Sequence, residues 1–170
     1  TFTIERDGKP VEFGRKTPKK PLELLKAIIA LGGVAVPETT LADRLWPDAE
    51  GDVAHETFAK TLHRLRHLLG HEEALRRRDG KVSLDLQLCW VDVLAFEYLI
   101  RSAPSAKANA PQKDWVFAYQ KAVTLYRGPF LHKEDLAAWE EQRRQQLTRQ
   151  YCRAITRLMD HYKQRNQREQ

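Results

Sequence analysis

The segment from Leu45 to Gly70 constrains the fold more than any other part of this sequence. A short helical pattern ends at Trp46 and Pro47, an acidic link follows, and a longer helical pattern continues to Gly70. Along the longer pattern, apolar residues recur at helical spacing and basic residues fall on the other side. One face of such a helix can pack on a core while the other contacts a partner. The segment therefore predicts a helix-turn-helix.

The two helices of this motif have recognisable ends. Thr39 or Thr40 is a suitable N-cap for the short helix, over 41–46, and Asp52 for the long helix, over about 53–69. The apolar stripe of the long helix consists of Ala54, Phe58, Leu62, Leu65 and Leu69. The side chains predicted to point away from that stripe are Glu56, Lys60, His63, Arg64 and His67.

A basic hairpin is predicted shortly after the long helix. Two strands, about 75–78 and 81–86, flank Asp79-Gly80, a pair that strongly favours a tight turn. From Thr57 to Lys81 the chain has seven Lys or Arg residues against three Asp or Glu residues. The formal net charge of +6 favours a polyanionic partner, and this local density indicates where such a partner binds. A helix-turn-helix followed by a basic hairpin predicts a DNA-binding winged helix.

The residues before this motif supply its remaining elements. Alternating apolar residues on either side of Asp7-Gly8 predict a β-hairpin, namely Phe2 and Ile4 before the turn and Val11 and Phe13 after it. A helix is predicted to open at Thr17-Pro18 or Lys20-Pro21 and to end at Gly32-Gly33. Residues 34–36 are predicted as a short extended link.

Beyond Trp90 the sequence has only helical patterns. One begins near Asp92, one covers about 115–126, and a long one runs from about Leu136 beyond Tyr162. Residues 104–111 are predicted as a loop. We therefore place a domain boundary near residue 91 and predict a mainly α protein with small β elements.

Composition limits the class of protein. A hydrophobic content of 42% with 31% charged residues is typical of a soluble globular chain. No apolar run approaches the roughly 18 residues of a membrane span, and no signal-peptide pattern is present, so we expect a cytoplasmic protein. Cys89 and Cys152 have no metal-like spacing and are expected to be free thiols. Because the sequence opens at Thr1 inside a predicted strand, we expect a fragment of a larger protein.

The first half resembles the winged helix of OmpR/PhoB-type response regulators. The resemblance is carried by Leu41-Ala42-Asp43-Arg44-Leu45-Trp46 and by Leu62-His63-Arg64-Leu65-Arg66. A closer similarity is to the antibiotic-regulator (SARP-like) branch, whose signature runs L-W-P-D-A and then S-R-L-R-x-x-L-G. The corresponding segments here are 45–49 and 63–70.

The second half resembles the bacterial transcriptional activation domain that follows the winged helix in that branch. Val91-Asp92-Val93-x-x-Phe96 is similar to its entry, residues 125–131 to its Y-x-G-x-L-L segment, and 139–143 to its W-x-x-x-R helix. Members of the branch continue with further helical pairs, so we expect this domain to be truncated at Gln170.

The resemblance implies a fold, a function and partners. It implies an OmpR/PhoB-type winged helix over 1–90 and an all-α, repeat-like (TPR-like) activation domain over 91–170. The implied function is that of a bacterial transcription regulator, an activator by this likeness. Its implied partners are double-stranded DNA with direct repeats at promoters, RNA polymerase, and a second copy of the chain on DNA. No membrane partner is expected.

Contacts to DNA are expected from the long helix first. Arg64 is the leading candidate for a base or phosphate contact, and Thr57, Thr61 and Arg64 match contact positions of the OmpR/PhoB family. Arg66 is expected either to reach a phosphate or to pair internally. Glu56 stands where the family commonly has a basic residue, and it either reads cytosine or repels phosphate.

Strand alternation predicts that about half of the basic hairpin residues point at DNA. We expect these residues to meet the groove next to the one that holds the long helix, and we expect this adjacent groove to be the minor groove. Arg44 and Trp46 are candidates for backbone contacts. The full set of candidate DNA-binding residues is Arg44, Trp46, Thr57, Lys60, Thr61, His63, Arg64, Arg66, His67, Arg76, Arg77, Arg78 and Lys81.

Other functions find less support in the sequence. A basic helix face is often only solvated, and Trp46 alone is as well explained by the core. His63 and His67 share a helix face, but no Cys or carboxylate cluster completes a metal site, so neither a metal nor another cofactor is expected. The sequence has neither a nucleophile elbow nor a phosphate-binding glycine loop, so we do not expect an enzyme. The alternative function is a protein–protein interaction module whose winged helix no longer binds DNA specifically.

Overall fold

The computed structural model describes residues 2–13, 17–49, 51–103, 112–132 and 138–168. The chain divides into two compact units, Phe2–Trp90 and Val91–Gln170. The elements of the first unit are β1 Glu5–Arg6, β2 Lys9–Pro10, α1 Lys19–Ala30, β3 Val36–Pro37, α2 Glu38–Leu45, α3 Gly51–Leu69, a 3-10 turn at Glu72–Ala74, β4 Leu75–Arg78 and β5 Lys81–Leu84. Those of the second are α4 Asp92–Ser102, α5 Gln112–Leu125 and α6 Ala138–Arg168. At this level the predicted fold class, mainly α with small β elements, is confirmed.

The predicted N-terminal hairpin is present but shorter than its apolar pattern suggested. β1 and β2 pair antiparallel around Asp7 and Gly8, which both have positive φ. The Val11 amide donates to the Ile4 carbonyl at 2.8 Å and so extends the pairing. The turn residues determine this element because an Asp-Gly pair adopts the left-handed conformation at low cost.

α1 follows its prediction closely. It buries an almost continuous apolar face and ends where Gly32 and Gly33 donate to the carbonyls of Ile29 and Ile28. Both glycines have positive φ, a conformation that closes a helix without a Cβ penalty.

The predicted starts of α2 and α3 were wrong. α2 begins at Glu38 without a side-chain cap, so Thr39 and Thr40 lie inside its first turn. Its first amide, that of Glu38, donates instead to the Gly80 carbonyl at 2.9 Å. This tertiary bond satisfies a group that a capping side chain would otherwise serve. α3 begins at Gly51, which leaves Asp52 in the first turn and not at the N-cap.

The predicted link over 34–36 was also incomplete. Val36 and Pro37 form β3, which pairs antiparallel with β5 through Val36↔Val82 and Pro37↔Lys81. The resulting three-stranded sheet has the order β3-β5-β4. Because these partners are far apart in sequence, no local pattern indicated the third strand.

The core of the first unit lies where α1, α2 and α3 pack on one another and on the sheet. Its largest fully buried side chains are Leu24, Ile28, Val36, Leu41, Phe58, Leu62, Leu65, Leu75 and Val82. Phe58, Leu62 and Leu65 form the middle of the predicted α3 stripe, whereas Ala54 and Leu69 at its ends are only half-buried.

All regular secondary structure among the described residues of the second unit is helical. Phe96, Ala122 and Leu147 form one buried cluster, one residue from each helix. Tyr119, Ala154 and Leu158 form another between α5 and α6. The predicted loop over 104–111 and the predicted start of the last helix near Leu136 fall outside the described residues.

Buried polar contacts join the helices of this unit. Arg143 of α6 forms a bidentate ion pair with Glu97 of α4, with N–O distances of 2.8 and 2.6 Å. Arg144 donates to the carbonyls of Phe130 and Leu131 at 2.8 and 2.6 Å. The first pair explains the arginine of the W-x-x-x-R motif in structural terms, because it ties the last helix to the first. In neither unit is a described helix long and apolar enough to cross a membrane.

Candidate nucleic-acid interface

The outward face of α3 is exposed and mostly cationic. Because Phe58, Leu62 and Leu65 point into the core, residues half a helical turn away point to solvent. The exposed members of the candidate set on this helix are Lys60, His63, Arg64 and His67. These four side chains lie where the sequence predicted them.

Thr61 was wrongly included among the contacts. It is only 5% exposed, and its Oγ1 donates to the Thr57 carbonyl at 2.8 Å. The position lies three residues from Phe58 and four from Leu65, which places it on the buried stripe. Thr57 itself is half-buried at the edge of the exposed face.

Arg66 pairs internally, which was one of its two expected roles. Its Nε and Nη2 both donate to the Leu75 carbonyl, at 3.0 and 2.8 Å. This contact ties the C-terminal half of α3 to the first residue of β4. Arg66 therefore positions the hairpin, and its guanidinium is not available to a phosphate in this arrangement.

The basic hairpin formed by β4 and β5 turns at Asp79 and Gly80, with φ values of 50° and 67°. Arg78 is 90% exposed at its tip and lies 3.4 Å from the Asp79 carboxylate. Lys81 is exposed opposite Arg78 in the ladder. The hairpin tip thus presents two cations, from residues paired with each other across the strands.

The other two hairpin arginines are held by buried carboxylates. Arg77 donates from Nε and Nη2 to the two oxygens of Glu38, at 2.6 and 2.7 Å. The hydrogen bonds to Glu38 raise the pKa of Arg77 above its ordinary value. Arg76 pairs with Asp85, whose carboxylate is buried. Both pairs fix the hairpin. Arg77, with its guanidinium on Glu38 and its side chain 35% exposed, is less accessible than predicted, whereas Arg76 is still 62% exposed, and contact of either with DNA stays a prediction.

Arg77 also joins the hairpin to α3. Its Nη2 lies 3.3 Å from Nε2 of His55, close to the start of that helix. The Glu38–Arg77 pair and this contact together fix the hairpin against the first turns of α2 and α3. Sequence reasoning missed Glu38 and Asp85 because a buried carboxylate has no local signal; only their proximity to a cationic run in space reveals them.

Trp46 and Arg44 lie at the end of α2 and are both half-buried. The Trp46 ring packs edge-on against Phe58, with 6.5 Å between ring centroids, and Lys20 lies 5.9 Å above it. Trp46 thus packs mainly at the edge of the hydrophobic core.

Glu56 forms an ion pair on the exposed face of α3. Its Oε1 lies 2.7 Å from Nζ of Lys60, one helical turn further along. The hydrogen bond from Lys60, and then its charge, lower the pKa of Glu56 below the ordinary value. Glu56 is therefore a carboxylate, able only to accept hydrogen bonds.

An open cleft of about 510 Å³ lies between the start of α1 and the C-terminal half of α3. It is lined by residues 18–21 and by Arg64, His67 and Leu68. Among the residues that the structure describes, no group of three or more His, Cys, Asp or Glu side chains is arranged to bind a metal ion.

Comparison with known families relates the second unit to a class of transcription regulators. Residues 91–170 match the family model described as bacterial transcriptional activator domain. This match supports the predicted resemblance for that half and indicates a regulator of the bacterial transcriptional-activator type. A comparison with curated proteins found no match.

Proposed function

We propose that this chain is part of a sequence-specific DNA-binding transcription regulator of the activator type. In this proposal Phe2–Trp90 is a winged helix-turn-helix domain of the OmpR/PhoB type. α2 and α3 form the helix-turn-helix, α3 is the recognition helix, and the basic hairpin is the wing. Residues 91–170 are a TPR-like helical activation domain.

The observation that carries the proposal is the presence of two cationic surfaces on one compact unit. α3 exposes Lys60 and Arg64 from a helix whose other face is buried in the core. The hairpin is fixed beside the start of that helix through the His55–Arg77 contact of 3.3 Å. A major groove about 12 Å wide admits a helix, and a hairpin beside the helix then meets the flanking groove.

The side chains have different roles in this complex. Arg64 contacts a base edge or a phosphate, and His63, Lys60 and His67 line the same face. Arg78 and Lys81 at the hairpin tip neutralise phosphates, so each contributes about one unit of salt dependence and little sequence preference. Because Arg66 donates to the Leu75 carbonyl, it contributes by positioning the hairpin. Arg77 does so mainly through Glu38, and Arg76, still 62% exposed beside Asp85, can also reach a phosphate.

The partners of the second unit follow from the activation-domain match and from the resemblance. We propose that RNA polymerase contacts residues 91–170, and that two copies of the protein bind direct repeats at a promoter. Such a regulator acts in the bacterial cytoplasm.

The test is selection of binding sites from random DNA, followed by titration of the selected site with Arg64→Ala. Arg149→Ala is the matched control, because Arg149 is an exposed arginine on α6, outside the first unit. We expect an enriched motif, weaker binding of that motif by Arg64→Ala, and unchanged binding by Arg149→Ala. Salt-sensitive binding without any enriched motif would instead favour the alternative function, a protein–protein interaction module.

A further inference from the structure

Glu56 is unusual among the residues that face outward from α3. It is the only acidic residue between Val53 and Leu69, and its side chain is 68% exposed. Lys60, His63 and His67 follow at helical spacing on the same row. A carboxylate on a surface that approaches phosphates is repelled by them, so it weakens general binding to DNA.

The Glu56–Lys60 pair changes what this position can recognise. The two heavy atoms lie 2.7 Å apart, which places one acceptor directly beside one donor. In the major groove, cytosine presents its N4 amino donor directly beside the O6 acceptor of the paired guanine. A carboxylate accepts from the amino group and an ammonium donates to O6 or N7. The ion pair is therefore complementary to the edge of a C·G base pair.

We propose that Glu56, held by Lys60, is a specificity-determining residue that reads one C·G base pair in the major groove. The inference rests on the proposed function, because it requires α3 to be the recognition helix. Thymine and guanine present only acceptors to the carboxylate, so Glu56 rejects them at this position. Lys60 offsets part of the repulsion from the phosphates and donates to the guanine of the same pair.

The test compares wild type with Glu56→Ala and Glu56→Gln in the same site selection, followed by competition between probes that differ at one base pair. Wild type is expected to select C at one position of the motif, by roughly 5- to 150-fold over T. Glu56→Ala is expected to reduce that preference to within about twofold and to leave the other positions unchanged. Glu56→Gln is expected to shift the preference from C to A, because an amide both accepts from N6 and donates to N7 of adenine.

Two other outcomes overturn the inference in different ways. If Glu56→Ala tightens binding to all sequences equally and leaves the motif unchanged, Glu56 only damps electrostatic attraction, while the proposed function stands. If the wild-type protein enriches no motif, the proposed function fails together with this inference. Thermal unfolding of each variant provides the folding control. Because the contact of Glu56 with Lys60 lies on the exposed surface of the helix, both variants should unfold at close to the wild-type temperature.

Discussion

The Glu38–Arg77 pair predicts an asymmetry between two substitutions. Arg77→Met leaves the Glu38 carboxylate buried without its partner, whereas Glu38→Gln leaves a guanidinium that can turn to water. The Glu38 side chain is 9% exposed and the Arg77 side chain is 35% exposed, so an unpaired Glu38 carboxylate costs more stability than an unpaired Arg77 guanidinium. Removing one partner of a fully buried pair costs about 3–5 kcal/mol, and the partial exposure of Arg77 lowers this to about 2–3 kcal/mol for Arg77→Met. For Glu38→Gln, which keeps an amide acceptor, we expect about 1 kcal/mol.

Amide hydrogen exchange measured by mass spectrometry on the whole chain resolves this effect. Because the chain contains two units, stability has to be measured region by region. Peptides covering the basic hairpin and the start of α2 report the local opening of that region. A loss of about 2–3 kcal/mol corresponds to roughly 30- to 150-fold faster exchange in those peptides. Peptides from 138–168 provide the internal control and should not change.

The double substitution Glu38→Met with Arg77→Met tests the reasoning further. Because it removes both charges, we expect it to be more stable than Arg77→Met alone. The argument from a buried carboxylate is refuted if Arg77→Met and Glu38→Gln have equal effects, or if the double variant is the least stable of the three.

Three further predictions concern other parts of the chain. Lys81→Ala should lower the slope of log affinity against log salt by about one unit while leaving the selected DNA motif unchanged, and a changed motif would contradict a phosphate-contacting hairpin. Arg143→Met should destabilise the second unit by about 3 kcal/mol, because Glu97 would stay buried without a partner. Denaturation followed by hydrogen exchange in peptides from 92–102 should show this loss of stability, and exchange at the wild-type rate would contradict the prediction. Cys152 is exposed, whereas burial, and then the Asp85 charge, raise the pKa of Cys89. Iodoacetamide should therefore modify Cys152 first, with Cys89 reacting appreciably only at higher pH; equal rates in the folded protein would refute this, and denaturant should abolish the difference.

Local chemistry made part of the fold predictable. The Asp7-Gly8 and Asp79-Gly80 turns and the glycine stop after α1 are properties of a few neighbouring residues, and each appears at its predicted place. The helices of both units are visible in the sequence because burial of one face imposes a period of about 3.6 residues. Exposure of Arg64 followed from the same period, since it lies away from Phe58, Leu62 and Leu65.

The candidate interface was predictable only as a region. The sequence located a cationic helix and a cationic hairpin, but it did not separate exposed cations from paired ones. Arg77 and Arg78 are neighbours of the same type, yet one is held by Glu38 and the other is 90% exposed. Thr61 looked like a polar surface residue, although the angular width of the buried stripe includes it.

By itself, the sequence determined which segments are helices, where two hairpins turn, and where positive charge is concentrated. Those features depend on residues within a few positions of one another. The tertiary structure alone decided that β3 joins the sheet through Val82, that α2 starts on the Gly80 carbonyl, and which arginines remain exposed. Each of these features depends on partners that packing brings together. A buried carboxylate or carbonyl without a hydrogen bond lowers the stability of the fold, so it pairs with a donor that is close in space and not in sequence.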